Sequence, residues 1–180
     1  GLVQSDPLIV QSLSQVNADS ISSYIEDLVN CHTRHNLRTQ SDTKKGIGAA
    51  TSYLERRCQE FVAKASKNSI NPSVVEVVRY EAGGENTRIG KKVSLPNVMV
   101  TLPGSVATGE IILLAHYDTR VNDNYDGETF APGANPLIVR RVAALTLLNL
   151  SCTSPFAGVA VTDGHMRISP AGSYKSFVLT

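Results

Sequence analysis

The chain has no tryptophan and few aromatic residues of any kind, 6% of 180. It also has almost no net charge: 17 basic against 16 acidic side chains leave +1. A nucleic-acid-binding domain needs a basic face, so that function class is set aside. The basic residues cluster only mildly, at Arg34 to Lys45 and Arg88 to Lys92, and read as solvated loops. No stretch approaches the ~18 consecutive apolar residues of a membrane span. No basic-then-apolar signal peptide is visible, and the first residue is Gly rather than Met, which is expected of a removed leader or of a piece of a longer chain. Cysteine is scarce: Cys31, Cys58 and Cys152 are odd in number, far apart and outside any C-x-x-C motif, so buried free thiols are expected. There is no G-x-S-x-G nucleophile elbow. GGEN and GIGAA lack the Rossmann and P-loop patterns that cradle phosphates. Repeats and low-complexity segments are absent as well.

What is present is ordinary for a globular domain. Apolar content is 42%, and 180 residues suffice for one domain with a sizeable core. Residues 6 to 16 read as a short helix, with Asp6 as cap and Pro7 at the first position. Asn17 or Asp19 can cap a second helix to about Val29, in which Ile21, Ile25, Leu28 and Val29 share a face. The polar stretch NCHTRHNLRTQSDT is a loop. A longer helix is predicted from Thr43 to Ala65, because Ile47, Ala50, Leu54, Cys58, Phe61 and Ala65 recur every three or four residues. Gly46 and Gly48 weaken its start and are expected to let it lie close to a strand. Ser73 to Tyr80 and Asn97 to Leu102 read as strands, joined by a polar turn region. Glu110 to Ala115 is a third. Three strands separated by turns suggest neighbouring, partly antiparallel pairing; with helices before and after them, the fold class is a layered α/β sandwich with a mixed sheet.

The chemistry concentrates at residues 110 to 136, EIILLAHYDTRVNDNYDGETFAPGANP. Ile111 to Ala115 is a short unbroken apolar run, suited to a strand buried on both faces. His116 and Asp118 follow it at once. Ligands in open α/β sheets bind beyond the carboxyl ends of strands, and strand residues two apart point the same way. His116 therefore reads as a metal ligand and Asp118 as the carboxylate that fixes its orientation. Upstream, CHTRH offers Cys31, His32 and His35, but no second ligand cluster follows at zinc-finger spacing, so packing histidines are the better reading.

AHYDTR, a polar loop and then APGAN resemble the di-zinc aminopeptidase family, peptidase family twenty-eight of the metallopeptidases, and most of all its bacterial secreted branch. The resemblance extends upstream in order through DPLIVQSLSQVNADSISSYIEDLV, TRHN, KKGIGAATSYLERRCQEF and GGENTRIGKKVSLPNVMVTLPG. It covers residues 6 to 135 of a single peptidase-like domain spanning 1 to 180; residues 136 to 180 diverge. It implies a three-layer α/β/α sandwich, aminopeptidase-like and truncated at its C-terminal side, two zinc ions, and peptide or protein N-termini as substrates. It also implies a secreted or periplasmic location, in which a Cys31–Cys58 disulfide becomes possible. Oligomeric state is not implied.

Carried over residue by residue, the family's first zinc-ligand histidine is His116 and the orienting, catalytic-site aspartate is Asp118. The family's bridging aspartate falls at Pro136, which has no ligand atom. LIVRR and then VAALTLLNL follow, the latter a candidate helix. The family's glutamate pair after a buried strand has its nearest match in PFAGVAVTDGH, with Phe156 to Val161 as the strand. Thr162 then stands where the general base belongs and Asp163 where a zinc ligand belongs; His165 is nearby. The alternatives to a working zinc aminopeptidase are a catalytically inactive peptidase-like binding module, a truncated or frame-shifted fragment, and a site completed by partner chains.

Overall fold

The computed structural model describes residues 7–65, 73–87, 89–103, 110–133 and 174–179. The element order is α1 (Pro7–Ser14), α2 (Ala18–Asn30), α3 (Gly46–Ala65), β1 (Val74–Ala82), β2 (Val93–Pro103), β3 (Glu110–Ala115) and β4 (Tyr174–Leu179). The result is a small α/β fold in which helices pack on antiparallel strands.

α2 begins where Asn17 leaves the helical backbone region and its side chain accepts the Ser20 N–H at 2.8 Å, an N-cap on one otherwise orphaned donor. Tyr24 and Leu28 are its buried residues, with Ile21 and Ile25 partly buried beside them. Tyr24 was not on the predicted apolar face; its ring meets Phe61 of α3 edge-on, centroids 6.2 Å apart. α3 starts at Gly46, three residues later than predicted. Asp42 Oδ1 accepts the Lys44 and Lys45 N–H groups at 2.8 and 3.0 Å, which makes residues 42–45 a side-chain-held turn instead of a first helical turn. Ile47, Ala50, Leu54, Cys58 and Phe61 are all buried, as the periodicity requires. The close approach at the start of the helix is not to a strand. A Cβ on Gly48 would lie 2.1 Å from the Gln40 carbonyl oxygen, so the helix is pressed against the backbone of the preceding loop.

β1 and β2 pair antiparallel, with Val75 opposite Val100 and Val77 opposite Val98. These pairs face α3: Val98, Val100 and Leu102 are buried in the same cluster as the helix stripe. β2 is longer than predicted, because pairing continues through Pro96 to Val93. Pro96 stands two residues before the ladder with β4 begins at Val98, a position where a sheet tolerates a residue without an N–H. β4 runs antiparallel to β2 and parallel to β3, so the strand order is β1-β2-β4-β3. The expectation that β2 and β3 are neighbours is corrected here: a strand from the far end of the chain lies between them. Such a non-local pairing leaves no trace in local periodicity. Cys31 and Cys58 are both buried and are not bonded to each other, which corrects the disulfide considered from the sequence. The candidate helix VAALTLLNL and the candidate strand Phe156 to Val161 lie outside the described residues, as do Pro136, Thr162, Asp163 and His165.

Candidate metal centre

Ala115 ends β3 in register with Leu179, and the chain then leaves the sheet. Side chains alternate across this exit. His116 is exposed, Tyr117 buried, Asp118 half-buried and Thr119 buried. His116 and Asp118 thus share the outward side, with His116 Nδ1 at 3.4 Å from Asp118 Oδ1. That contact turns one ring nitrogen toward the carboxylate, the arrangement in which a carboxylate sets the tautomer of a metal-ligating histidine.

The inward side chains anchor this pair. The Tyr117 hydroxyl donates to the Pro96 carbonyl at 2.7 Å and lies 2.8 Å from Thr51 Oγ1, so it joins β2 to α3 beneath the site. Burial pushes its phenol pKa up to about 12. Thr119 pairs with Arg34: Thr119 N–H donates to the Arg34 carbonyl at 3.2 Å, and Arg34 N–H donates to Thr119 Oγ1 at 2.9 Å.

The loop after α2 is where polarity misled the sequence reading. Thr33 and Arg34 are fully buried and His35 nearly so; the expectation of a solvated basic loop is corrected for Arg34. The Arg34 guanidinium donates to backbone carbonyls of three separate segments, Leu28, Tyr117 (2.8 Å) and Pro132 (3.1 Å), which is why a cation is tolerated there. His35 Nδ1 accepts the Leu37 N–H at 3.0 Å, the role of a packing histidine. Burial holds its pKa below the ordinary value, against the opposing pull of Asp118. His32 sits beside the Phe130 ring, centroids 5.0 Å apart. Cys31 Sγ donates to the Asp27 carbonyl at 3.5 Å, and burial pushes its thiol pKa up. The CHTRH residues are therefore engaged in packing.

Residues 120–133 fold back over that loop. Asp126 Oδ1 accepts the Glu128 and Thr129 N–H groups at 2.9 and 2.8 Å, and hydrogen bonds from Thr129 and Glu128 hold its carboxyl down to about 2. Arg38 pairs with Glu128, and buried Gly127 lies against the backbone of Leu37 and Arg38.

The donor types at the pair, an imidazole and a carboxylate, suit zinc. Their number does not. Among the described residues no group of three or more His, Cys, Asp or Glu side chains is placed to hold a metal ion, and a zinc site takes three protein ligands even when catalytic. Asp163, the second ligand suggested by the sequence, lies outside the described residues.

A parallel-paired strand ending in a His–Asp pair on an α/β fold points to a metallopeptidase-like class. Comparison with known proteins agrees. No family model matches the chain. A probable zinc metalloprotease of Phaeosphaeria nodorum is 37% identical over 123 residues, covering 68% of this chain and 24% of that protein. One from Pyrenophora tritici-repentis is 36% identical over 123 residues, covering 68% and 28%. Solved structures with the same fold include a Zn-dependent exopeptidase from Parabacteroides distasonis (TM-score 0.55, 17% identity, 91% of this chain and 46% of that one). The LapA aminopeptidase of Legionella pneumophila gives a TM-score of 0.60 at 10% identity, over 99% and 38%. A glutaminyl cyclase from Fimbriiglobus ruber gives 0.57 at 14% identity, over 99% and 47%. Over two thirds of its length the chain is thus related to probable zinc metalloproteases, and it shares the fold of the exopeptidase and cyclase structures. It spans about a quarter of the length of the curated relatives it matches, and those relatives are fungal, so the similarity reaches beyond the bacterial branch.

Proposed function

We propose that this chain carries part of a zinc metallopeptidase site that hydrolyses peptide bonds at the N-termini of peptides or proteins. The observation that carries the reading is the His116–Asp118 pair at the end of β3, with Nδ1 facing the carboxylate at 3.4 Å. In this reading His116 is a zinc ligand, Asp118 orients it, and Asp163 supplies a further carboxylate. Zinc is a Lewis acid that polarises a carbonyl and acidifies water near neutral pH. The described residues contribute two donors toward it, and no catalytic step is derived from that pair alone.

The same reading extends the fold to a three-layer α/β/α sandwich with a mixed central sheet, supported by the likeness to the exopeptidase structures and by the parallel β3–β4 pair beside the antiparallel ones. It also places the protein in a secreted or periplasmic setting, on the strength of the family resemblance. Among the described residues no helix is long and apolar enough to cross a membrane.

The test is zinc content by elemental mass spectrometry after loosely held metal has been removed. Close to two zinc ions per chain, lost in His116→Ala together with chelator-sensitive aminopeptidase activity, supports the reading and requires ligands beyond the two donors described. Zinc near zero in the unmutated chain sinks the hydrolase reading. A peptide-binding module without catalysis is then the reading to take up, and Pro136 at the family's bridging position is the residue that favours it.

A further inference from the structure

Asp118 sits between two peptide groups. The Tyr117 carbonyl belongs to the peptide before it and the Thr119 N–H to the peptide after it. Both are hydrogen-bonded to one residue. Arg34 Nε donates to the Tyr117 carbonyl at 2.8 Å, and the Arg34 carbonyl accepts the Thr119 N–H at 3.2 Å. A third bond, Arg34 N–H to Thr119 Oγ1 at 2.9 Å, closes the clasp. Arg34 is 0% exposed. Its guanidinium also donates to Leu28 at the end of α2 and to Pro132 beyond the 120–131 loop. A planar fork of five N–H donors can serve three carbonyls from three segments at once; an ammonium on a flexible stem cannot reproduce that geometry.

We infer that Arg34 is the positioning residue of the His116–Asp118 pair. It fixes the peptide plane on each side of Asp118, so that the carboxylate is held toward His116 Nδ1 and the ring keeps one tautomer. In this role it acts through the backbone of residues 117–119. The functional weight of the inference rests on the reading of that pair as metal-facing, while the positioning itself is a statement about geometry.

The test uses the full chain with Arg34→Lys and, separately, Thr119→Val, which keeps side-chain shape and removes the hydroxyl acceptor. Two quantities are read: zinc affinity by titration with zinc alone, and the tautomer of the His116 ring by long-range proton–nitrogen NMR at mildly alkaline pH. The ring signals are assigned by their loss in His116→Ala. Each variant is expected to weaken zinc about 10-fold or more, the usual effect of losing an outer-shell partner. Each is also expected to move the His116 ring from a single tautomer toward a mixture. In an Asp118→Asn background neither change should add to what Asp118→Asn does alone. Variants that lower the melting temperature yet leave zinc affinity and ring tautomer at their unmutated values overturn the inference and make Arg34 a purely structural brace. If the unmutated chain takes up no zinc, the proposed function fails, and the ring signals alone decide the role of Arg34. If Arg34→Lys does not fold, Thr119→Val decides it.

Discussion

Tyr117 is held by its hydroxyl to a strand carbonyl and a helix threonine while its two neighbours face outward. Tyr117→Phe leaves both partners in a dry interior with one hydrogen bond fewer, and a buried group stripped of its partner costs about 1–3 kcal/mol. Denaturant unfolding should show that loss with little change in the slope. The same phenol sets a pH dependence. Its folded pKa, about 12, lies above the ordinary value of 10.0. The folded state therefore keeps a proton that the unfolded chain releases, so this contribution is complete below pH 10 and is lost as pH rises toward 12. Tyr117→Phe should flatten that alkaline decline. His35 acts at the other end of the scale. Its folded pKa is depressed by burial, so the unfolded chain binds the proton first, and stability should fall as pH drops below the ordinary histidine value of 6.5. Melting temperatures of His35→Gln and the unmutated chain, compared across that window, should converge as pH is lowered. His116 and Asp118 stood out in the sequence because an apolar run gave way abruptly to metal-capable side chains. Arg34 and Tyr117 did not stand out. Polarity suggests exposure, and only the placement of three backbone carbonyls around a guanidinium makes burial affordable.

At the scale of elements, α3 is the member on which most of the core depends. Leu54 is 1% exposed and belongs to the same buried cluster as Val98, Val100 and Phe61. Leu54→Ala should cost about 2–5 kcal/mol, the range for a large-to-small change in a core that relaxes only in part. Gly48 makes the opposite point. Alanine normally gains up to about 1 kcal/mol over glycine in a helix, yet here its Cβ would meet the Gln40 carbonyl oxygen at 2.1 Å. Gly48→Ala should therefore lower the melting temperature. The stripe on α3 was legible because helical spacing is local. The start of the helix was placed three residues early, since Asp42 holds residues 44 and 45 in a turn that competes with helical hydrogen bonding. Pro96 similarly concealed the first part of β2, because a proline usually argues against a strand interior.

For the molecule as a whole, stability is distributed unevenly. α2, α3, β1 and β2 contribute to the buried cluster, whereas Val10 and Leu13 of α1 and Val16 just after it stand exposed. Hydrogen exchange should be slowest in α3 and β2 and fastest in α1, since local opening follows the density of buried contacts. Protection in α1 equal to that of α3 would mean that α1 is covered by residues outside those described. The overall class was legible from the order of elements and the AHYDTR segment, but the strand order was not. Pairing between β3 and β4 joins residues separated by much of the second half of the chain, and no window of local sequence carries that information.

That strand order also sets a timetable. During synthesis β1 and β2 can pair as soon as both have left the ribosome, and α3 is already there to cover them. β3 cannot take its place beside them, because its neighbour is β4, which is translated only after residues 116–173 have been added. At ~5–20 residues per second the delay is several seconds. Throughout it the apolar run Ile111 to Ala115 has no β4 to pair with, and the residues that follow it are held by Arg34, Pro96 and Thr51. β3 is therefore settled in the sheet later than β1 and β2, and that interval is when a chaperone would meet its apolar run uncovered by β4.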